Sequence, residues 1–204
     1  MNPESSARVI HGERVTLRPW QRGDTLAQER WPRYTEPFSS LWNIPRPYSY
    51  EDFAGRNWSG QRYAWAVDDR QRRLIGRISL REVDTEGASA RLGISLAQPY
   101  VSQGLGTEAL RLFLDHYFGP MGFAELKLDV AAFNRRAVRC YERLGFIHVE
   151  SEWRGAGGDP AVRQLDDPRF ADLRPFFRRN RFETQVEFYE MVLSREEWQR
   201  RRLQ

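Results

Sequence analysis

The chain has 204 residues, 40% hydrophobic and 13% aromatic, enough to bury a substantial core in one domain. No apolar run approaches the ~20 residues of a membrane span, and Met1–Ser6 lacks the basic-then-apolar pattern of a secretory signal. Lys and Arg total 32 against 28 Asp and Glu, a mild net charge of +4 carried almost wholly by arginine, with Lys127 the only lysine. Cys140 is the sole cysteine, so no intrachain disulfide and no cysteine-based metal cluster can form. The three histidines, His11, His116 and His148, fall in different elements with no metal-ligand spacing, so no metal is expected. The Arg-rich runs at 178–181 and 200–202 are short, which disfavours nucleic acid as the partner. These features describe a soluble, cytosolic protein.

Arg14–Arg18 alternates polar and apolar as a half-buried strand, closed by Pro19. A helix is predicted from Asp24 to Trp31, stopped by Pro32, and a second from Glu51 to Trp58 beyond an aromatic, proline-rich stretch. Strands follow over Tyr63–Val67 and Leu74–Val83, with Asp84–Gly87 closing a hairpin into Ala88–Leu96, the cleanest alternation in the chain. Next come a loop over 98–106 and a helix over Thr107–Phe118, whose wide apolar arc calls for a sheet beneath it. Glu125–Val130 reads as strand, Arg135–Leu144 as helix stopped by Gly145, and Phe146–Trp153 as strand. Residues 154–183 are polar and Gly/Pro-rich, too long for a hairpin loop, and read as an insertion before the strand Thr184–Leu193. Ser194 with Glu197 caps a terminal helix. The order implies an α/β (α+β) fold: a mixed, mostly antiparallel sheet of about seven strands, helices on both faces, and one parallel pair crossed over by the Thr107 helix.

Gly104-x-Gly106 lies between a strand and a helix. Unpaired N–H groups and the helix dipole favour an anion there, and glycine lets a phosphate approach the backbone. The third glycine of a dinucleotide fingerprint and the Gly-Lys-Ser/Thr of a P-loop are both absent. Further on, Asn134, Ala137, Tyr141, Gly145 and Phe146 form a spaced set on and around one helix, with Tyr141 on its inward face. Taken singly, Asn134 fits a helix N-cap and Tyr141 a packed core tyrosine.

The order strand, Gly104-x-Gly106, helix, strand, Asn134-x-x-Ala137-x-x-x-Tyr141-x-x-x-Gly145-Phe146 resembles the GNAT N-acetyltransferase superfamily. The opening strand and Glu187–Leu193 are similar to its ribosomal-protein N-terminal acetyltransferase branch. The resemblance implies that the Ala88–Leu96 and Leu126–Val130 strands splay apart, and that the pantetheine arm of acetyl- or another acyl-coenzyme A lies in the gap against main chain near Leu96 and Gln98. It further implies pyrophosphate binding by N–H groups of Val101, Gln103, Gly104, Gly106 and Thr107, a coenzyme contact from Asn134, and Tyr141 near the sulfur. Two positions depart from the pattern: Val101 where Arg or Gln is common, and Ser102 where glycine is common.

The chemistry implied is direct attack of a primary amine on the thioester, with Tyr141 protonating the leaving thiolate. Glu82 and Asp84 are the candidate bases. Cys140 lacks the neighbouring histidine a covalent nucleophile would need. The aromatics Trp31, Tyr34, Phe38, Trp42, Tyr48, Tyr50 and Trp58, with Arg33 and Arg46, form either an acceptor wall or loop packing. The acceptor is open between a protein or peptide N-terminus and a small-molecule amine. The 154–183 insertion is open as a lid, a homodimer contact or a loop. A coenzyme A-binding or nucleic-acid-binding module without turnover is the alternative on the same fold.

Overall fold

The structure is a computed structural model that describes residues 8–46 and 63–203; the expected 51–58 helix and Tyr48, Tyr50 and Trp58 lie outside them. In chain order the elements are β1 (Ile10–His11), β2 (Val15–Pro19), α1 (Arg22–Glu29), β3 (Tyr63–Asp69), β4 (Leu74–Asp84) and β5 (Ser89–Leu96). They continue with α2 (Leu105–Phe118), β6 (Glu125–Ala131), α3 (Arg135–Leu144), β7 (Ile147–Gly155), β8 (Phe177–Arg179), β9 (Thr184–Ser194) and α4 (Arg195–Arg202). The described residues form two compact units, residues 8–33, 63–128 and 192–203 in the first and 34–46 and 129–191 in the second. Among the described residues no helix is long and apolar enough to cross a membrane.

In the first unit the strands run β1-β2-β3-β4-β5-β6. All pairs are antiparallel except β5 with β6, which is parallel as expected. The face toward α2 is apolar: Trp65, Ile78 and Leu80 are fully buried with Phe113 and Leu114 of the helix. Trp65 meets Phe113 edge-on at 4.9 Å between ring centroids. Tyr117 donates to the Glu125 carbonyl at 2.7 Å, tying the helix end to the strand it feeds. From β2, Arg18 grips Asp24 of α1 through both terminal nitrogens (2.7 and 2.9 Å) and Asp68 of β3 through Nε and Nη2 (2.7 and 3.1 Å). Asp24 also accepts the Gln21 N–H at 2.7 Å, so one half-buried arginine fixes both the start of α1 and the end of β3.

In the second unit the order is β6-β9-β7, with β8 pairing antiparallel to Thr184–Val186 of β9. The strands beyond the expected seven are β1 and β8, of two and three residues, too short to show alternation. Asn134 caps α3 by accepting the Ala137 N–H at 3.3 Å, and Gly145, at φ +100°, ends it. The segment 154–183 packs rather than loops out. Its two 3-10 turns, Pro160–Asp166 and Pro168–Phe176, send Ala161 and Leu165 into a core with Phe38, Leu41, Phe133 and Phe188. Phe38 is thus a core ring, edge-on to Phe133 and Phe170, and not part of an acceptor wall.

Candidate active site

The parallel ladder between β5 and β6 runs from Ser89↔Glu125 to Leu92↔Leu128 and stops there, four residues short of Leu96. β5 keeps its antiparallel ladder with β4 as far as Leu96↔Gly76. One edge of its C-terminal half has therefore left the parallel pairing, the arrangement an extended thioester arm needs for main-chain bonds.

Beyond Leu96 the chain makes a 3-10 turn, Gln98–Tyr100, and then a tight loop in which Ser102 (φ +61°) and Gly104 (φ +79°) both take left-handed backbone. Alternating handedness over successive residues turns N–H groups into a shared concavity, the shape that receives an oxyanion. The first helical bond of α2 is Glu108 N–H to Gly104 O at 3.0 Å, so the Leu105 and Gly106 N–H groups have no acceptor within the helix. A Cβ on Gly106 would stand 2.7 Å from Leu96 Cδ1, so glycine there lets α2 close onto β5. The fold thus gathers Leu96, Gln98, Val101, Gln103, Gly104, Gly106 and Thr107 at one strand end. Two details qualify the expectation. The Val101 N–H is engaged, at 3.4 Å, by Gln98 O, and the Gln103 side chain folds back onto Pro99 O at 2.7 Å. The glycine common at the Ser102 position has its reason in the positive φ.

A residue not singled out from sequence stands at this loop. Arg14 Nη1 donates to Gln103 O at 3.0 Å, and Nε to Glu108 Oε2 at 2.8 Å. Glu108 Oε1 accepts the Arg14 N–H at 2.6 Å and the Val15 N–H at 3.2 Å. Burial pushes the Glu108 carboxyl up, but these donors outweigh it and hold the group below the ordinary carboxylate range. In sequence, Arg14 is indistinguishable from the opening residue of a strand.

The expected bases lie elsewhere. β4 is antiparallel to β5, so Glu82 and Asp84 face the start of β5, beyond Arg81↔Arg91, while Leu96 sits opposite Gly76. Six residues of strand separate Glu82 from Gly76, roughly 20 Å. Glu82 accepts from the buried Arg91 Nε at 2.8 Å, in a β-irregularity where its own φ is +50°. Asp84 Oδ1 accepts the N–H groups of Glu86 and Gly87 (3.1 and 2.9 Å), closing the hairpin. Both carboxylates hold local structure, and the register does not bring them to the loop.

In the second unit Tyr141 is buried on α3, its ring 5.8 Å from Phe146 and inclined at 64°. Burial, helped by the adjacent Cys140, holds its hydroxyl well above the ordinary tyrosine range. The same unit carries a charged group absent from the sequence reading. Arg154, 4% exposed, lies 4.3 Å from the Phe188 ring centroid. Its Nη2 reaches Glu152 at 2.7 Å and Asp129 at 3.4 Å. Arg46 joins Glu152 (3.3 Å) to Glu190 (3.2 Å), giving three carboxylates against two guanidinia. Trp42 lies edge-on to Tyr34, 4.9 Å between ring centroids, with the Arg136 guanidinium 5.4 Å above its ring. Among the described residues no group of three or more His, Cys, Asp or Glu side chains could hold a metal.

A family model for the acetyltransferase (GNAT) domain matches residues 14–147. Curated relatives include the spermidine N(1)-acetyltransferase of Vibrio cholerae, 29% identical over 145 residues, 65% of this chain and 79% of the relative. The spermidine N(1)-acetyltransferase of Escherichia coli is 26% identical over 147 residues, 68% of this chain and 75% of the relative. Among solved structures, spermidine N-acetyltransferase from Vibrio cholerae in complex with CoA and spermine is similar in fold, with a TM-score of 0.61 at 21% identity, covering 91% of this chain and 98% of that one. These relatives are not specifically of the ribosomal-protein branch, so the likeness establishes the superfamily and not that subdivision. The chain belongs to the GNAT acetyltransferase family and is an acyl-coenzyme A-dependent N-acyltransferase.

Proposed function

We propose that this enzyme transfers an acetyl group from acetyl-coenzyme A to a primary amine of a small polycationic molecule, by direct attack on the thioester. The observation that carries the acceptor class is the likeness to spermidine N(1)-acetyltransferases over 145 residues.

In this reading the N–H groups of Gln103, Gly104, Gly106 and Thr107 receive the pyrophosphate, main chain at Leu96 and Gln98 pairs with the pantetheine arm, and Asn134 contacts that arm. The ammonium first loses a proton to water, the free amine nitrogen then forms a bond to the carbonyl carbon as the carbon–sulfur bond breaks, and Tyr141 gives its proton to the departing thiolate. The proton shed by the new amide nitrogen passes to solvent, which also reprotonates Tyr141. A tyrosine whose pKa burial has raised stays protonated at neutral pH, as a proton donor must. Glu82 has no part in this scheme, and water serves as the base.

The test is release of free coenzyme thiol from acetyl- and succinyl-coenzyme A with spermidine, spermine, an aminoglycoside or a peptide with a free N-terminus. Spermidine or spermine should exceed the peptide at least ~10-fold in kcat/KM. A peptide turned over best would replace the small-molecule acceptor with a protein terminus.

A further inference from the structure

The loop that receives the coenzyme phosphates in the reading above has no basic side chain of its own. Residues 98–107 run Gln-Pro-Tyr-Val-Ser-Gln-Gly-Leu-Gly-Thr. Coenzyme A presents a diphosphate and a phosphomonoester, several negative charges that backbone dipoles meet only in part. A guanidinium nevertheless stands against the loop. Arg14 comes from the residue before β2, and Nη1 donates to Gln103 O at 3.0 Å. Its Nη2 lies 3.1 Å from where a Cβ on Gly104 would stand, directly against the residue ahead of α2. Glu108 fixes this pose through Nε, the edge of the guanidinium away from the loop. The other Glu108 oxygen is taken by main-chain N–H groups, so the carboxylate holds the arginine without covering its terminal nitrogens. The Arg14 side chain is 42% exposed, open to a ligand while anchored at its base.

We propose that Arg14 is a coenzyme-binding residue, its guanidinium supplying to the phosphates of acyl-coenzyme A the positive charge that the Ser102–Gly104 loop lacks, with Glu108 as the positioning residue. A planar guanidinium held at Nε keeps its outer edge for a bidentate phosphate contact. The rival explanation is a strut that only ties β2 to the loop. The two separate because Glu108→Gln breaks the ion pair yet leaves the cation, whereas Arg14→Gln removes both. The proposal rests on the coenzyme reading of the loop.

Calorimetric titrations of wild type, Arg14→Gln, Arg14→Lys and Glu108→Gln with coenzyme A, 3′-dephospho-coenzyme A and phosphate-free acetyl-pantetheine decide it, with thermal melts confirming that each variant is folded. Arg14→Gln should weaken coenzyme A ~10–100-fold and flatten its salt dependence, with Arg14→Lys recovering part of the loss. Glu108→Gln should weaken it several-fold less than Arg14→Gln, and acetyl-pantetheine should not distinguish wild type from Arg14→Gln. In kinetics the loss falls on KM for acetyl-coenzyme A rather than on kcat. A loss that persists with the dephospho compound assigns the contact to the diphosphate, and one that vanishes assigns it to the 3′-phosphate. Equal losses in Arg14→Gln and Glu108→Gln, or an equal loss for acetyl-pantetheine, would show a strut and overturn the proposal. Undiminished binding by Arg14→Gln overturns the proposal alone; no coenzyme A binding by wild type overturns the loop reading with it.

Discussion

Replacing Gly104 by alanine separates strain from ligand contact at the loop. Gly104 holds φ +79°, where an L side chain costs ~1–2 kcal/mol. The new Cβ would stand 3.1 Å from Arg14 Nη2, tighter than ordinary contact, so the guanidinium must retreat by a few tenths of an ångström. Alanine returns ~0.4–1 kcal/mol by restricting the unfolded chain. The net cost is about 1 kcal/mol, which for a chain of this size lowers Tm by roughly 2–4 °C. A phosphate oxygen resting on this backbone is also pushed away by the methyl group, and losing one charge-assisted hydrogen bond costs ~1.5–3 kcal/mol, roughly 10–100-fold in KM for acetyl-coenzyme A. Initial rates over a range of acetyl-coenzyme A at saturating amine, with melting curves in parallel, measure both effects. A lowered Tm with unchanged KM would refute the reasoning, because the strain would be real and the phosphate elsewhere.

Three further outcomes are expected. Tyr141→Phe should lower kcat ~100–10,000-fold with little change in KM for acetyl-coenzyme A; full turnover in the phenylalanine variant would end the proton-donor assignment. Glu82→Gln should keep kcat within about twofold, since the register sets the residue far from Leu96; a collapse of kcat in a folded variant would contradict that register argument. Asp24→Asn should cost about 2–3 kcal/mol, read from denaturant unfolding, by leaving part of the Arg18 charge without its partner. Hydrogen bonds from Arg18 lower the Asp24 carboxyl below its usual range despite burial, and the Gln21 N–H adds to this. The stability it contributes is therefore complete above the unfolded value near ~4 and is lost as pH falls through the lower folded value. An Asn variant as acid-sensitive as wild type would remove Asp24 from that account.

The regular elements were legible wherever one face is buried and the other is not. Ser89–Leu96 was legible from its alternating sequence, although in the structure the consecutive residues Ala90, Arg91 and Leu92 are all buried, and α3 runs from Arg135 to Leu144 as read because Asn134 and Gly145 mark its ends. What sequence hid has little pattern to show. β1 and β8 are stitched on by two and three residues, and the proline-rich 154–183 segment looked like an excursion although Leu165 is core. Sequence left Phe38 open between an acceptor wall and loop packing, because an aromatic among prolines carries no sign of which way it faces.

The same contrast divides the site. Main-chain phosphate recognition, as proposed for the 101–107 loop, demands glycine, a helix start and a strand end in one order, and these survive as spacing in Gly104-x-Gly106. Arg14 leaves no such trace, because it reaches the loop from 89 residues away and sequence separation conceals spatial adjacency. Glu82 failed as a candidate base for the matching reason. It is near β5 in sequence, but an antiparallel hairpin carries its strand end away from the other end of its partner, so proximity along the chain became distance in space. Charged side chains that act from the ends of strands are thus the part of this site that pairing register decides. In the second unit, considered by itself, Arg46 meets Glu152 and Glu190 only through folding. Such contacts leave no spacing in the order of residues, which is why the sequence left the acceptor open between a protein or peptide N-terminus and a small-molecule amine.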